Sequence, residues 1–149
     1  MTIAIGNDHV GYEMKHMLIN YLSELGHEIE DFGANSSQST DYPIYGKRVA
    51  DAVSSGRCEL GILICGTGVG ISLAANKVAG IRAAVCSEPY TAKMARAHNN
   101  ANIIAFGARV IGIDMAKMIV HEFSTTKFEA GRHAHRVNLI DQIENGMEL

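Results

Sequence analysis

The sequence predicts an α/β protein of three layers: a five-stranded parallel sheet, helices on both of its faces and a C-terminal helical tail. Three observations predict it. Short apolar runs alternate five times with segments whose apolar residues recur at helical spacing. The third run, Leu60 to Ile64, breaks into Cys65-Gly66-Thr67-Gly68-Val69-Gly70 before a helical pattern resumes, the signature of a buried strand, a tight turn and a helix start. No internal repeat, low-complexity segment or linker interrupts the chain, whose 149 residues are most simply one domain, residues 1–149.

Thr2 to Gly6 forms the first strand. Met14, Met17, Leu18, Tyr21, Leu22 and Leu25 follow at helical spacing until Gly26 ends the pattern. Glu28 to Phe32 alternates as a second strand. The polar stretch Gly33 to Asp41 is the longest loop, and Pro43 suits a helix start near Tyr42. Val49, Ala52 and Val53 give that helix its inner face, with an end near Gly56. After the third strand the glycine loop leads into a helix through about Val78. Ile81 to Cys86 is the fourth strand, Pro89 opens a helix to about His98, and Asn102 to Phe106 is the fifth strand. Helices from Asp114 to Phe123 and from Val137 to Ile143 complete the chain. Parallel strands of this kind require right-handed crossovers.

Composition narrows the function classes. Hydrophobic residues make up 47% of the chain and charged residues 19%, which excludes a disordered chain. The formal net charge of -3 argues against a nucleic-acid partner, which needs a basic face. No apolar run is long enough for a membrane span, and the N-terminus lacks the charged start of a signal peptide. Cys58, Cys65 and Cys86 are odd in number and fall in or beside strands, so reduced thiols in a cytoplasmic protein fit better than a disulfide framework. There is no Cys-x-x-Cys, and His133-Ala134-His135 alone does not make a zinc pattern, so no metal is expected.

In open α/β sheets ligands bind beyond the carboxyl ends of the strands. That edge gathers Asp8 and His9, Tyr42 or its neighbours, Cys65 and Thr67, Glu88, and then Gly107 and Arg109. A cysteine at a strand end is commonly inert packing. A glycine-rich helix start supplies the electropositive setting that favours a reactive thiolate, with amide donors for any anion formed beside it. Gly66-Thr67-Gly68-Val69-Gly70 also approaches a dinucleotide fingerprint, with Glu88 about twenty residues on, but Ile71 stands where the last glycine belongs. No Gly-Lys-Ser/Thr follows for a Walker loop, and Ile71 removes the arginine of a Cys-x5-Arg phosphatase loop.

Among the histidines, His16, His27 and His121 fall on helices or at their ends and read as solvated, whereas His9 directly follows the first strand. His98 ends a helix, which puts it roughly 14 Å below the carboxyl edge. It can join that site only across a two-fold dimer. Arg132 and Arg136 lie four apart at a helix start, either as a solvated basic turn or as a phosphate clamp.

The whole chain resembles the ribose-5-phosphate isomerase B family, within a wider group that includes the lactose-pathway galactose-6-phosphate isomerase subunits. The resemblance lies in Gly6-Asn7-Asp8-His9-Val10-Gly11-Tyr12, Asp41-Tyr42-Pro43, Ile64-Cys65-Gly66-Thr67-Gly68-Val69-Gly70-Ile71-Ser72, Gly80-Ile81-Arg82-Ala83-Ala84, His98-Asn99-Asn100-Ala101-Asn102 and Gly131-Arg132-His133. It implies a Rossmann-like fold and a cofactor-free aldose–ketose isomerase of the non-oxidative pentose phosphate pathway, interconverting ribose 5-phosphate and ribulose 5-phosphate through a cis-enediolate. It also implies a homodimer with shared active sites, or a dimer of dimers.

By motif position, Cys65 resembles the base that moves a proton between C1 and C2, and His98 the acid/base that opens the furanose ring, with Asp8 nearby. The backbone of Gly66, Thr67, Gly68, Val69 and Gly70 would hold the enediolate, helped by the Thr67 side chain and Asn99. His9, Arg109, Arg132 and Arg136 resemble the phosphate grip, and Tyr42 a pocket wall. A branch of the family replaces the cysteine by a glutamate just after the glycine loop. With Cys65 present and Ile71 in the glutamate's place, this chain resembles the cysteine-dependent branch. Such chemistry needs a base over an α-carbon proton, donors around the oxyanion and an anchor for the remote phosphate.

Overall fold

The computed structural model describes residues 1–149. Strands β1 (Thr2–Asn7), β2 (Glu28–Asp31), β3 (Leu60–Cys65), β4 (Ala83–Val85) and β5 (Ile103–Gly107) form one parallel sheet in the order β2-β1-β3-β5-β4. The helices are α1 (Tyr12–Glu24), α2 (Tyr42–Ser54), α3 (Val69–Ala75), α4 (Pro89–Asn99), α5 (Ile113–Thr125) and α6 (Arg132–Glu144), with a short 3-10 turn at His9–Gly11. No helix is long and apolar enough to cross a membrane.

The pleat sorts each strand's side chains between two cores. Ile3, Ile5, Ile62, Ile64, Ile104 and Phe106 face α1, α4 and α5, where Leu18, Leu22, Ile119, Val120 and Phe123 cover them. Ala4, Leu63, Cys65, Ile103 and Ala105 face α2 and α3, where Val49, Ala50, Val53 and Ile71 pack. On the second face the strands carry small residues. A Cβ at Gly6 or Gly61 would stand 2.6 or 2.7 Å from Val49, so α2 lies close against β1 and β3.

Several boundaries differ from the sequence reading. Helix α3 stops at Ala75 rather than Val78, because the Asn76 side chain brackets Ala83, donating to its carbonyl at 2.9 Å and accepting from its N–H at 2.8 Å. Strand β4 shrinks to Ala83–Val85, since the Ile81 N–H turns back to the Val78 carbonyl and the Arg82 N–H is taken by the Asn102 side chain. Helix α6 begins at Arg132, five residues ahead of the apolar signal at Val137. His27 is half-buried with a buried, unpartnered Nδ1, not solvated; burial, chiefly, holds its pKa below the usual histidine value.

Candidate active site

The strand order places β1, β3 and β5 side by side, with Asn7 opposite Ile64 and Cys65 opposite Gly107. Residues following these strands therefore converge where the chain's path through the sheet reverses direction, the usual ligand crevice of open α/β sheets.

The glycine loop is shaped by its neighbours. Gly68 adopts φ +82°, and a Cβ there would meet the Phe106 Cα at 2.7 Å. Only glycine meets both demands. The turn brings the Gly68 N–H onto the Cys65 Sγ at 3.1 Å, while the Val69 N–H donates to the Thr67 Oγ1 at 3.2 Å. The N–H groups of Gly66, Thr67, Gly70 and Ile71 have no acceptor in the chain. Four unengaged amides thus belong to the same loop and helix start as a thiol whose sulfur already accepts one, an arrangement suited to stabilising an oxyanion.

Cys65 itself is only 4% exposed, at the base of the loop, whereas Thr67 and Val69 are exposed on its rim. All three cysteines are free. Cys86 lies in the core facing α4, where burial pushes its thiol up to about 11.

The loop is flanked by two side chains. A Cβ at Gly70 would collide with the Tyr42 ring at 2.6 Å, so that ring lies directly against the loop. The Arg109 N–H donates to the Gly66 carbonyl at 3.2 Å, and the guanidinium stands 3.7 Å from where a Gly66 Cβ would be. Arg109 is exposed and pairs with no carboxylate, leaving its charge available to an anion.

Asp8 and His9 complete the edge. The Asp8 N–H bonds the Ile64 carbonyl at 3.2 Å, and its carboxylate accepts from the Val10 and Gly11 N–H groups at 2.9 and 3.4 Å, capping the 3-10 turn that carries His9. The His9 Nδ1 accepts from the Thr40 N–H at 3.2 Å. A backbone amide can only donate, so the neutral ring carries its proton on Nε2 and offers that nitrogen as a donor.

Thr40 is held in turn through its hydroxyl, 2.8 Å from that of Tyr45. At the other end of the same loop the buried Lys15 ammonium reaches the Ala34 carbonyl at 2.6 Å and Asp31 at 3.0 Å. Sequence reasoning missed Lys15, although it stands three residues before Leu18 and seven before Leu22, on the apolar stripe of α1.

The remaining expected site residues gather at the opposite, amino edge of the sheet. His98 and Asn99 end α4, and the Asn102 carbonyl just beyond accepts from Gly61 at the start of β3. Arg132 and Arg136 open α6, exposed and without ion pairs. Asp8 lies with Cys65 and not with His98. The His98 ring stacks on His133 with centroids 4.1 Å apart and planes 6° from parallel, and both Nε2 atoms lie 3.7 Å from one Glu129 oxygen.

These three residues bring possible metal-ligating atoms within 4.8 Å of one another. An imidazole lone pair lies in the ring plane, however, so two parallel rings cannot both point at one ion without rotating. Glu129 was the other residue that sequence reading missed; its only trace was its spacing four residues before His133.

Glu88 follows β4 at the carboxyl edge, as expected, and caps α4 there: both carboxylate oxygens lie 3.0 Å from the Thr91 N–H, and hydrogen bonds from the Thr91 side chain and then its backbone hold the Glu88 pKa below the usual glutamate value. The largest cavity, about 430 Å³, is lined by Met1, Arg96, Lys127 and their neighbours, and none of the chain's four cavities reaches Cys65.

The family model described as Ribose/Galactose Isomerase matches residues 3–140. The chain belongs to that family. It is 56% identical over 142 residues to ribose-5-phosphate isomerase B of Escherichia coli, covering 95% of each chain. A solved ribose-5-phosphate isomerase B of Clostridium thermocellum superposes with TM-score 0.96 at 53% identity, over 98% of this chain and 99% of that one. That of Mycoplasma genitalium, with bound ribulose-5-phosphate, gives 0.92 at 38% identity, over 97% of this chain and 96% of that one.

Proposed function

We propose that this chain is a ribose-5-phosphate isomerase that interconverts ribose 5-phosphate and ribulose 5-phosphate through a cis-enediolate, without a cofactor, with Cys65 as the base. The observation that carries the reading is the Cys65 sulfur accepting the Gly68 amide at 3.1 Å beside four unengaged N–H groups. The thiolate takes the hydrogen from C2 of the open-chain aldose as a proton, and the electron pair moves to O1. The free amides of Gly66, Thr67, Gly70 and Ile71 stabilise that oxygen, helped by the Thr67 hydroxyl. O1 then gains a proton, O2 loses one as the ketone forms, and Cys65 returns its proton to C1. No electron leaves the substrate.

Phosphate binding falls to the His9 Nε2–H and Arg109 at one edge and to Arg132 and Arg136 at the other, with Tyr42 as a wall. Two such distant groups meet one substrate if a partner subunit brings His98, Asn99, Arg132 and Arg136 over Cys65. A cytoplasmic homodimer with shared sites, alone or paired into a tetramer, meets that requirement. In it His98 opens the furanose ring: the C1–O4 bond breaks, O4 gains a proton from His98 and the C1 hydroxyl loses one. Cys65 is then closed off from bulk water by the partner.

Steady-state rates on five- and six-carbon aldose phosphates test the assignment. Ribose 5-phosphate is expected to give the highest kcat/KM. Failure to turn it over, or preference for a six-carbon substrate, would overturn it.

A further inference from the structure

We propose that Glu129 and His133 are positioning residues that act through His98, one carboxylate and two stacked imidazoles holding a single shared proton so that His98 meets the sugar ring in a fixed orientation. This rests on the reading of His98 as the ring-opening group.

The assembly is built into the fold. The Glu129 N–H donates to the Ala97 carbonyl at 3.0 Å, tying the connector before α6 to the last turn of α4, one residue from His98. The chain then bends through Ala130 and Gly131, both at φ +56°, and the His133 N–H closes on the Ala130 carbonyl at 3.0 Å. His133 is thereby buried, 8% exposed, with an Nε2 that has no hydrogen-bond partner. The exposed Glu129 carboxylate stands 3.7 Å from that nitrogen and equally far from His98 Nε2. A small movement of Glu129 completes either bond.

The stack decides who holds the proton. Two imidazolium rings 4.1 Å apart repel, so one carboxylate supports one cation at a time. The charged groups around His133 are His98 from α4, Glu129 from the connector, and Arg132 and Arg136 from α6. Burial, the positive charge of His98 and that of Arg132 lower the His133 pKa, against the opposing pull of Glu129. His133 is thus the disfavoured place for the charge and serves as a flat platform, which leaves Glu129 to pair with His98, the half-exposed member that can reach a substrate. When His98 gives a proton to O4, Glu129 remains as the anion that favours its return.

The test compares Glu129→Gln and His133→Phe, which keep shape and stacking, on ribose 5-phosphate and on erythrose 4-phosphate. The 4-hydroxyl of the latter is esterified, so it cannot close a furanose. General acid–base groups contribute about 10²–10⁴-fold, and loss of the positioning part is expected to lower kcat on ribose 5-phosphate roughly tenfold. KM should hold, and erythrose 4-phosphate turnover should change less than about twofold. The acid limb of the ribose 5-phosphate pH profile should also move in Glu129→Gln. Unchanged ribose 5-phosphate rates and profile, or equal losses on both substrates, would overturn the proposal.

An NMR titration of the His133 Cε1 proton is independent of turnover. Its midpoint should fall further in Glu129→Gln, and an unmoved midpoint would also overturn the coupling. If the wild type failed to turn over ribose 5-phosphate while that midpoint moved, the functional reading would fail and the proton sharing would stand.

Discussion

The Gly68 backbone N–H reaches the Cys65 Sγ at 3.1 Å because residue 68 sits at φ +82° with its Cα face against the Phe106 backbone. One residue's backbone conformation thus sets the environment of the sulfur. Gly68→Ala puts a Cβ 2.7 Å from Phe106 and strains the left-handed turn. It should destabilise the chain by about 2–3 kcal/mol and withdraw the amide from Cys65. Urea unfolding and kcat should both fall; a variant with native stability and rate would contradict the role given to this turn.

Lys15 ties Asp31, the end of β2, to Ala34 in the Gly33–Asp41 loop whose far end, Thr40, fixes the His9 tautomer. Lys15→Met keeps the side chain's length but leaves the Ala34 carbonyl without its donor and Asp31 with only the Gly33 N–H. The expected cost is about 1–3 kcal/mol, because Asp31 is partly exposed and can recover water. With His9 less firmly oriented, KM for ribose 5-phosphate should rise more than kcat falls. Equal KM in wild type and variant would remove the link between the loop and phosphate binding.

Cys86 gives a pH prediction. Its folded-state thiol is raised from 9.0 to about 11, chiefly by burial and then by the charge of Glu88. Its contribution is fully present below pH 9. Between pH 9 and 11 the unfolded chain ionises there while the folded one does not, so stability falls by about 2–3 kcal/mol. Denaturant unfolding across that range should show the loss in wild type and a smaller one in Cys86→Ala. Identical slopes would exclude this group as the cause.

Shared sites predict complementation. In an equal mixture of Cys65→Ala and His98→Asn subunits, half of the dimers carry one intact site, giving about a quarter of wild-type activity per protomer. Verified mixed dimers without recovered activity would contradict sharing.

The alternation of apolar runs with Met14–Leu25 and Val49–Val53 spacing made the layers legible, and Cys65 to Gly70 marked the crevice directly. The strand order was not legible, because pairing depends on contacts such as Gly61 with Ile103, forty-two residues apart. Boundaries failed where side chains override propensity, as Asn76 does at Ala83. The apolar pattern alone missed the first turn of α6, because the turn before it relies on Ala130 at positive φ, although Arg132 and Arg136 read as lying at a helix start. Lys15 was hidden because a lysine reads as surface, and Glu129 because its partner His98 lies thirty-one residues away.

The most direct test is the rate of Cys65→Ala on ribose 5-phosphate, with inorganic phosphate binding followed by calorimetry. The account predicts that turnover falls by about 10³-fold or more, with folding and phosphate affinity retained. Turnover within about tenfold of wild type would contradict Cys65 as the base.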